Sequence, residues 1–169
     1  MQIEIIERAK KIKLLLMDCD GVLTDGRLYF TQQGEEIKVF HVRDGQGLVM
    51  WHQAGFHSGI ISGRNSKIVE KRANELGVLY VRIGSQDKLK DLTEILEKAK
   101  VSLEEIAYIG DDIPDIELMK TVGLGIATAD AAAEVFPFAK YITTLKGGSG
   151  AVREVTDLIL KSKGLLDKI

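Results

Sequence analysis

Residues 13–26 read Lys13-Leu14-Leu15-Leu16-Met17-Asp18-Cys19-Asp20-Gly21-Val22-Leu23-Thr24-Asp25-Gly26. The apolar run is typical of a strand buried on both faces of a sheet. Because open α/β sheets bind ligands at the carboxyl ends of their strands, we expect Asp18 and Asp20 to lie at such a site. Two acids there repel each other and lose hydration, so they need a metal or a basic side chain as compensation. A strand that simply runs into an acidic turn is the plainer alternative.

The composition is that of an ordinary globular domain. The chain has 169 residues, 45% hydrophobic and 28% charged, with a net charge of -2, which gives no reason to expect a nucleic acid partner. Its single cysteine, Cys19, excludes an internal disulfide and is interpreted as a small buried side chain. No apolar run has the length of a membrane span, and the amino terminus lacks a signal-peptide core. We therefore expect one domain over residues 1–169, no membrane partner and a cytoplasmic location.

Strand and helix patterns alternate along the chain, which predicts an α/β fold. Such alternation favours a mostly parallel sheet with helices on both faces, a Rossmann-like three-layer α/β/α arrangement. Asp44 is a plausible cap for the second helix. Strands are predicted at 13–18, 56–61, 79–81, 106–109, 124–127 and 141–142, and helices at 2–12, 46–54, 66–76, 86–99, 114–121 and 151–163, with a further helix turn at 131–136.

Residues 27–40 predict a β-hairpin, because two β-rich runs flank a short turn that contains Gly34. An isolated two-stranded ribbon is not stable, so its apolar residues must be buried somewhere. We interpret the ribbon as a subunit contact, which predicts a homo-oligomer. Folding back onto its own domain remains the alternative. The apolar residues concerned are Leu28, Tyr29, Phe30, Ile37 and Val39.

Three predicted strands end in groups that can carry chemistry. Parallel strands present their carboxyl ends at one edge of the sheet, so residues far apart in sequence can converge there. Each has a plainer alternative: a helix cap for Ser62 and for the later acidic pair, and a solvated side chain for Lys88. Their order along the chain favours a single site. The candidates are Asp18 and Asp20, Ser62, Lys88 at the start of a helix, and Asp111, Asp112 and Asp115.

These motifs resemble those of the haloacid dehalogenase superfamily of phosphotransferases over residues 13–150. Asp18-x-Asp20-Gly-Val-Leu-Thr is similar to its first motif, Ser62 to its second, Lys88 to its third, and Gly110-Asp111-Asp112-Ile113-Pro114-Asp115 to its fourth. The resemblance implies that Asp18 is a nucleophile and that Asp20 acts as general acid and then as general base.

The same resemblance implies a Mg²⁺ site. Its ligands would be the carboxylates of Asp18 and Asp111 and the backbone carbonyl of Asp20, since Mg²⁺ prefers oxygen ligands. Ser62 and Lys88 would hold the phosphoryl oxygens. Supporting roles fall to Asp112 and Asp115, one of which would orient Lys88 or the water ligands.

No space for a cap domain is visible in the sequence. The predicted hairpin and one helix–strand unit fill the stretch between Asp18 and Ser62, and one helix and one strand fill the stretch between Ser62 and Lys88. Hydrolysis of a small substrate needs an enclosed site. Either a macromolecular substrate or a neighbouring subunit must therefore cover this one.

Further stretches resemble the 3-deoxy-D-manno-octulosonate 8-phosphate phosphatase family, a capless tetramer of lipopolysaccharide biosynthesis. They are Gly34-Glu35-Glu36, residues 40–45, Ser62-Gly63-Arg64 and residues 146–154. The resemblance implies a small sugar acid phosphate as substrate, an intersubunit barrel built from the hairpins, and a carboxyl-terminal segment (146–169) that helps to cover a neighbour's site.

A sugar acid also needs a cation for its carboxylate, for which Arg64 and then Arg72 are the candidates. Three other functions remain open on the sequence. They are a phosphatase for a nine-carbon keto-sugar acid phosphate, a non-catalytic accessory domain of a sugar-nucleotide pathway, and a protein phosphatase.

Overall fold

The computed structural model describes residues 2–168, so Met1 and Ile169 of the predicted domain lie outside it. The described residues form six helices and eight strands, and none of these helices has the length and apolar character to cross a bilayer. The helices are α1 (Gln2–Lys11), α2 (Val42–Gln53), α3 (Lys67–Leu76), α4 (Lys88–Ala99), α5 (Ile116–Thr121) and α6 (Ala151–Ser162). The strands are β1 (Leu14–Met17), β2 (Tyr29–Phe30), β3 (Glu36–Ile37), β4 (His57–Ser62), β5 (Tyr80–Ile83), β6 (Ile106–Gly110), β7 (Leu124–Ala127) and β8 (Tyr141–Ile142).

Six strands form one sheet in the order β5-β4-β1-β6-β7-β8, and every neighbouring pair is parallel. β1 lies inside the sheet, where Leu14 is paired with His57 on one side and with Ile106 on the other. β2 and β3 form a separate antiparallel ribbon. The carboxyl ends of β1, β4 and β6 are therefore adjacent at one edge.

The side chains of β1 alternate between two hydrophobic cores. Leu15 and Met17 pack with residues of α1, α2, α3 and α6, whereas Leu14 and Leu16 pack with residues of α4 and α5. All four are buried, which explains why the strand is apolar at every position. The predicted three-layer α/β/α fold is confirmed.

The helix turn predicted at 131–136 is not part of an α-helix. Those residues form turns, and one 3₁₀ turn follows at Phe136–Phe138. Pro137 has no amide hydrogen to donate and biases the residue before it away from the α conformation. The helix predicted at 114–121 begins as a 3₁₀ turn, Ile113–Asp115, before α5.

Asp44 does not cap its own helix as predicted. α2 begins earlier, and the His41 side chain accepts from the amide of Arg43 instead. Asp44 is buried in the first turn of α2, where its carboxylate accepts from the amides of Gly150 (3.2 Å) and Arg153 (2.9 Å). It therefore accepts hydrogen bonds from free backbone amides at the amino terminus of α6, a helix more than a hundred residues later in the chain.

We expect Asp44→Asn to destabilise the fold. The amide nitrogen that replaces one carboxylate oxygen cannot accept from a backbone amide, and a buried donor left without a partner costs about 1–3 kcal/mol. Urea unfolding measures the loss. Asp157→Asn is the matched control, because Asp157 forms a partly exposed pair with Arg153 (2.7 Å), and such pairs contribute about 1 kcal/mol or less. Equal losses for the two variants would contradict this account of Asp44.

The hairpin exposes apolar side chains and contacts its own domain through charged ones. Leu28, Phe30, Ile37 and Val39 are each 48% to 57% exposed. The charged residues Glu36 and Lys38 alternate with Ile37 and Val39 along the chain. Lys38 contacts Asp20, and Glu36 contacts Lys38 and Arg64. Within one chain the ribbon thus folds back on its own domain through these charged residues, while the four apolar side chains stay open to solvent.

Candidate active site

The carboxyl ends of β1, β4 and β6 surround one open pocket of about 280 Å³. Turns and helix starts that follow these strands provide the remaining walls. Asp18, Asp20, Gly26, Ser62, Gly63, Arg64, Lys88, Asp111, Asp112 and Pro114 line the pocket. All the sequence-predicted residues except Arg72 and Asp115 line this pocket, and Asp115 contacts Lys88 from a buried position.

Lys88 is an organised part of the site. It begins α4, which Asp87 caps through the amide of Lys90. Its ammonium donates to Asp18 Oδ2 (2.7 Å) and Asp115 Oδ1 (2.7 Å), and little of its side chain is exposed. Burial alone would lower the pKa of Lys88. The negative charges of these two carboxylates have the larger combined effect, and the pKa is raised overall. The alternative of a solvated lysine is therefore wrong.

Asp115 is fully buried and holds several groups of the site in place. Tyr108 donates its hydroxyl to Oδ1 (2.6 Å), and the amides of Asp111 (3.0 Å) and Asp112 (3.3 Å) donate to Oδ2. Tyr108 lies inside β6, where the sequence indicated an ordinary core residue. Asp115 thus orients Lys88, as one of the two later acids was expected to do.

Negative charge is in excess around Asp111. Carboxylate oxygens of Asp18, Asp111 and Asp115 lie within 4.8 Å of one another. Burial, and then the charges of Asp115 and Asp18, raise the pKa of Asp111 to about 8. Burial and the charge of Asp115 also raise the pKa of Asp18 to about 6, against the opposing effect of Lys88. A single ammonium does not neutralise three carboxylates.

Asp111 also has an oxygen free for a ligand. Its buried Oδ1 finds no hydrogen-bond partner in the part of the chain that the structure describes. A hard divalent cation fits such a set of oxygen donors and would supply the missing positive charge. The residues present therefore fit a Mg²⁺ ion.

Two close backbone approaches shape the turn after β1. Gly21 has φ +82°, and a Cβ at this position would lie 1.9 Å from Asp111 Oδ2. A Cβ on Gly147 would lie 1.8 Å from the carbonyl oxygen of Gly21, and the amide of Gly148 donates to Val22 O (2.9 Å). The glycine-rich loop before α6 therefore supports the turn that carries Asp20 within the same chain.

Asp20 contacts the hairpin. Its Oδ1 accepts from the ammonium of Lys38, which also lies 3.3 Å from Glu36 Oε1. The guanidinium of Arg64 donates to Glu36 Oε1 (2.8 Å) and approaches Asp20 Oδ2 to 3.8 Å. Sequence reasoning missed Lys38 because it used the hairpin for its apolar residues alone. The period-two alternation of Glu36 and Lys38 with Ile37 and Val39 was the available signal.

The other predicted residues occupy distinct positions. Ser62 is buried at the end of β4 and is not a helix cap, since α3 begins after Ser66. Asp112 is exposed and does cap a turn, because its Oδ1 accepts from the amide of Ile113 (2.8 Å). Arg72 lies outside the pocket lining, 5.8 Å from the ring of Phe40 and 3.4 Å from Glu75.

The parallel sheet presents two acids after β1, a serine at the end of β4, a lysine at the start of α4 and a further acidic cluster after β6. This combination defines a haloacid dehalogenase-like hydrolase. The sequence profile described as "haloacid dehalogenase-like hydrolase" matches residues 68–155. The 3-deoxy-D-manno-octulosonate 8-phosphate phosphatase of Yersinia pestis is 46% identical over 164 residues, which are 97% of this chain and 88% of that protein. The chain belongs to the 3-deoxy-D-manno-octulosonate 8-phosphate phosphatase family.

Solved structures of similar proteins have the same fold. The Moraxella catarrhalis phosphatase, determined with magnesium, phosphate and KDO, superposes with a TM-score of 0.96 at 42% identity, covering 99% of this chain and 97% of that one. The cobalt-bound Haemophilus influenzae enzyme superposes with a TM-score of 0.90 at 38% identity, covering 94% and 93%. Both relatives therefore bind a divalent metal.

Proposed function

We propose that this protein hydrolyses 3-deoxy-D-manno-octulosonate 8-phosphate to the free sugar acid and phosphate in lipopolysaccharide biosynthesis, with Mg²⁺ as cofactor. One observation supports this reaction above all: Asp18 lies beside Lys88 and the acidic cluster, while Asp20 lies in the same pocket with one oxygen that accepts no hydrogen bond from the described residues. The similarity to named phosphatases over nearly the whole chain supports the substrate.

In this reaction the Asp18 carboxylate attacks phosphorus, and the bond from phosphorus to the sugar oxygen breaks. Asp20, protonated at that stage, gives its proton to the departing oxygen. Asp20 then takes a proton from the water that attacks the phosphorus of the aspartyl phosphate. Inorganic phosphate leaves, and the Asp18 carboxylate is restored.

The neighbouring residues stabilise charge in both steps. Asp18, Asp111 and the backbone carbonyl of Asp20 would hold Mg²⁺, whose charge, when bound, offsets that of the phosphoryl group. The hydroxyl of Ser62 and the ammonium of Lys88 donate to phosphoryl oxygens. Supporting residues complete the site: Asp115 positions Lys88, and Asp112 at the rim orders water.

Arg64 is the residue that we assign to the substrate carboxylate. It lines the pocket, and its buried Nη1 has no hydrogen-bond partner among residues 2–168. A guanidinium with a free N–H edge suits a carboxylate. Within its own chain Arg72 lies outside the pocket lining. In this proposal it instead contacts the substrate that is bound to a neighbouring copy of the chain.

A panel of sugar phosphates tests the substrate. We expect the highest kcat/KM for 3-deoxy-D-manno-octulosonate 8-phosphate, measured by phosphate release with Mg²⁺ present. A higher value for a nine-carbon keto-sugar acid 9-phosphate would move the assignment to that substrate. No phosphate release from any ester would favour a non-catalytic accessory domain.

The proposal includes a cytoplasmic homotetramer. The exposed apolar residues of the hairpin support self-association, because a ribbon of two short strands is not stable unless its apolar residues are buried. An adjacent copy would also help to enclose the open pocket, which no cap covers within residues 2–168.

Phe30→Glu is expected to shift the protein to smaller species in sedimentation velocity, because a carboxylate cannot be buried unpaired in an apolar contact. Ile3→Glu is the matched control, since Ile3 is an exposed apolar residue of α1, away from the hairpin. A Phe30→Glu variant that sediments like the unmodified protein would show that the ribbon is not the contact.

A further inference from the structure

We propose that Lys38 is a positioning residue that fixes the orientation of the Asp20 carboxyl group for proton transfer. The inference rests on the proposed phosphatase function and adds a residue from the hairpin to it. It starts from the Lys38 side chain, which is 2% exposed although it carries an ammonium. Burial of an unpaired charge is costly, so the contacts that compensate for it indicate what the residue does.

Lys38 contacts Asp20 and does not line the pocket in which the substrate would bind. Its ammonium donates to Asp20 Oδ1 and lies near Glu36 Oε1 (3.3 Å). The pocket is lined by Asp20 and Arg64, whereas Lys38 lies behind Asp20, outside that lining. A substrate in the pocket would therefore meet Asp20 first, and Lys38 acts through it.

The two oxygens of Asp20 have different surroundings. Oδ1 is held by Lys38, whereas the buried Oδ2 has no hydrogen-bond partner in the described chain. Arg64 Nη1 is 3.8 Å from Oδ2, beyond hydrogen-bond distance. Because Lys38 occupies Oδ1, the oxygen that remains available to a leaving group or a water is Oδ2. Oδ2 is thus the oxygen that gives and takes the proton.

Lys38 is itself held by a rigid support. Glu36 accepts from Arg64 (2.8 Å) and from the hydroxyl of Ser66 (2.8 Å), which ties the hairpin to the segment between β4 and α3. Pairing of Tyr29 with Ile37 keeps the two strands in register. The ribbon therefore presents Lys38 at a fixed position beside Asp20.

Two substrates distinguish a positioning role from a structural one. A sugar alkoxide needs a proton as it leaves, and p-nitrophenolate does not, but both reactions need a base to activate water in the second step. For Lys38→Met we expect kcat on the sugar phosphate to fall by about 10²-fold, the lower end of what general acid–base catalysis provides. With p-nitrophenyl phosphate we expect a burst of one p-nitrophenolate per active site, followed by slow turnover.

A double-mutant cycle links the effect to Asp20. Asp20→Asn removes the acid and base, so adding Lys38→Met to it is expected to change kcat by less than about threefold, because coupled residues are not additive. Lys38→Arg, which retains a buried cation, is expected to recover part of the lost rate. Lys67→Met is the matched control, since Lys67 is exposed at the start of α3.

The possible results distinguish an error about Lys38 from an error about the proposed function. Equal losses on the two substrates without a burst would overturn the assignment of Lys38, and so would full activity of Lys38→Met or a multiplicative loss in the double variant. A Lys38→Met protein that has lost its native fold falls in the first case, because it loses both activities together. An unmodified protein that releases phosphate from neither ester would instead overturn the proposed function.

Discussion

Asp18→Asn is expected to lower kcat for phosphate release by at least about 10⁴-fold, the range seen when a covalent nucleophile is removed. An amide has no carboxylate oxygen with which to attack phosphorus, and the enzyme then has no route to the aspartyl phosphate. Asn fills the same volume, and the amide of Cys19 (2.6 Å) can still donate to its remaining oxygen.

Stability measurements distinguish lost chemistry from lost fold in this variant. Burial raises the pKa of Asp18 to about 6, so above that pH its charge destabilises the metal-free folded state. A neutral side chain removes that penalty, and we expect an unfolding midpoint at neutral pH no lower than that of the unmodified protein. Asp167→Asn, on the exposed surface, is the control. An active Asp18→Asn enzyme would disprove the nucleophile assignment.

Binding of Mg²⁺ is expected to release a proton and to strengthen as the pH rises from 6 to 8. Burial and the charges of Asp115 and Asp18 raise the pKa of Asp111 from 3.8 to about 8, so at pH 7 the metal-free carboxyl is protonated. A ligand oxygen must lose its proton first, which makes the apparent affinity rise by about tenfold per pH unit in this window. Calorimetry in buffers of different ionisation enthalpy measures both effects.

The same pKa fixes the sign of the pH dependence of folding. Between pH 4 and 8 the folded, metal-free protein holds a proton on Asp111 that the unfolded chain has lost. Its free energy of unfolding therefore falls as the pH rises through this window. Mg²⁺ reverses the trend, because it binds the ionised form. Asp111→Asn should weaken Mg²⁺ binding and abolish the proton release, and binding without a pH dependence would contradict the acidic site.

The sequence was most informative where one pattern had one physical explanation. The apolar run of β1 could be buried on both faces in a parallel sheet and nowhere else, so the layers and the position of Asp18 followed from it. The helix predicted at 66–76 is confirmed as α3, which Gly77 ends in the left-handed region at φ 72°. At residues 131–136 a run of alanines favours a helix locally, but the segment before Pro137 forms only turns that lead into a 3₁₀ turn.

Contacts between distant segments could not be predicted in the same way. Asp44 has the residue type and position of a local cap, and nothing near it in sequence shows that its partner is the start of α6. Lys38 directly follows β3. The apolar residues of this segment suggested a subunit contact, whereas the side chain of Lys38 reaches Asp20. Tyr108 looks like a core aromatic until its hydroxyl is placed on Asp115.

Covalent trapping of the phosphoenzyme tests the central claim most directly. In Asp20→Asn the second step lacks its base, so the aspartyl phosphate should accumulate on mixing with Mg²⁺ and p-nitrophenyl phosphate, whose leaving group needs no proton in the first step. Borohydride reduction converts an aspartyl phosphate to homoserine, which peptide mass spectrometry can locate. We expect homoserine at position 18 and none in the Asp18→Asn protein. Homoserine at another position, or continued turnover with no trapped residue, would contradict the account.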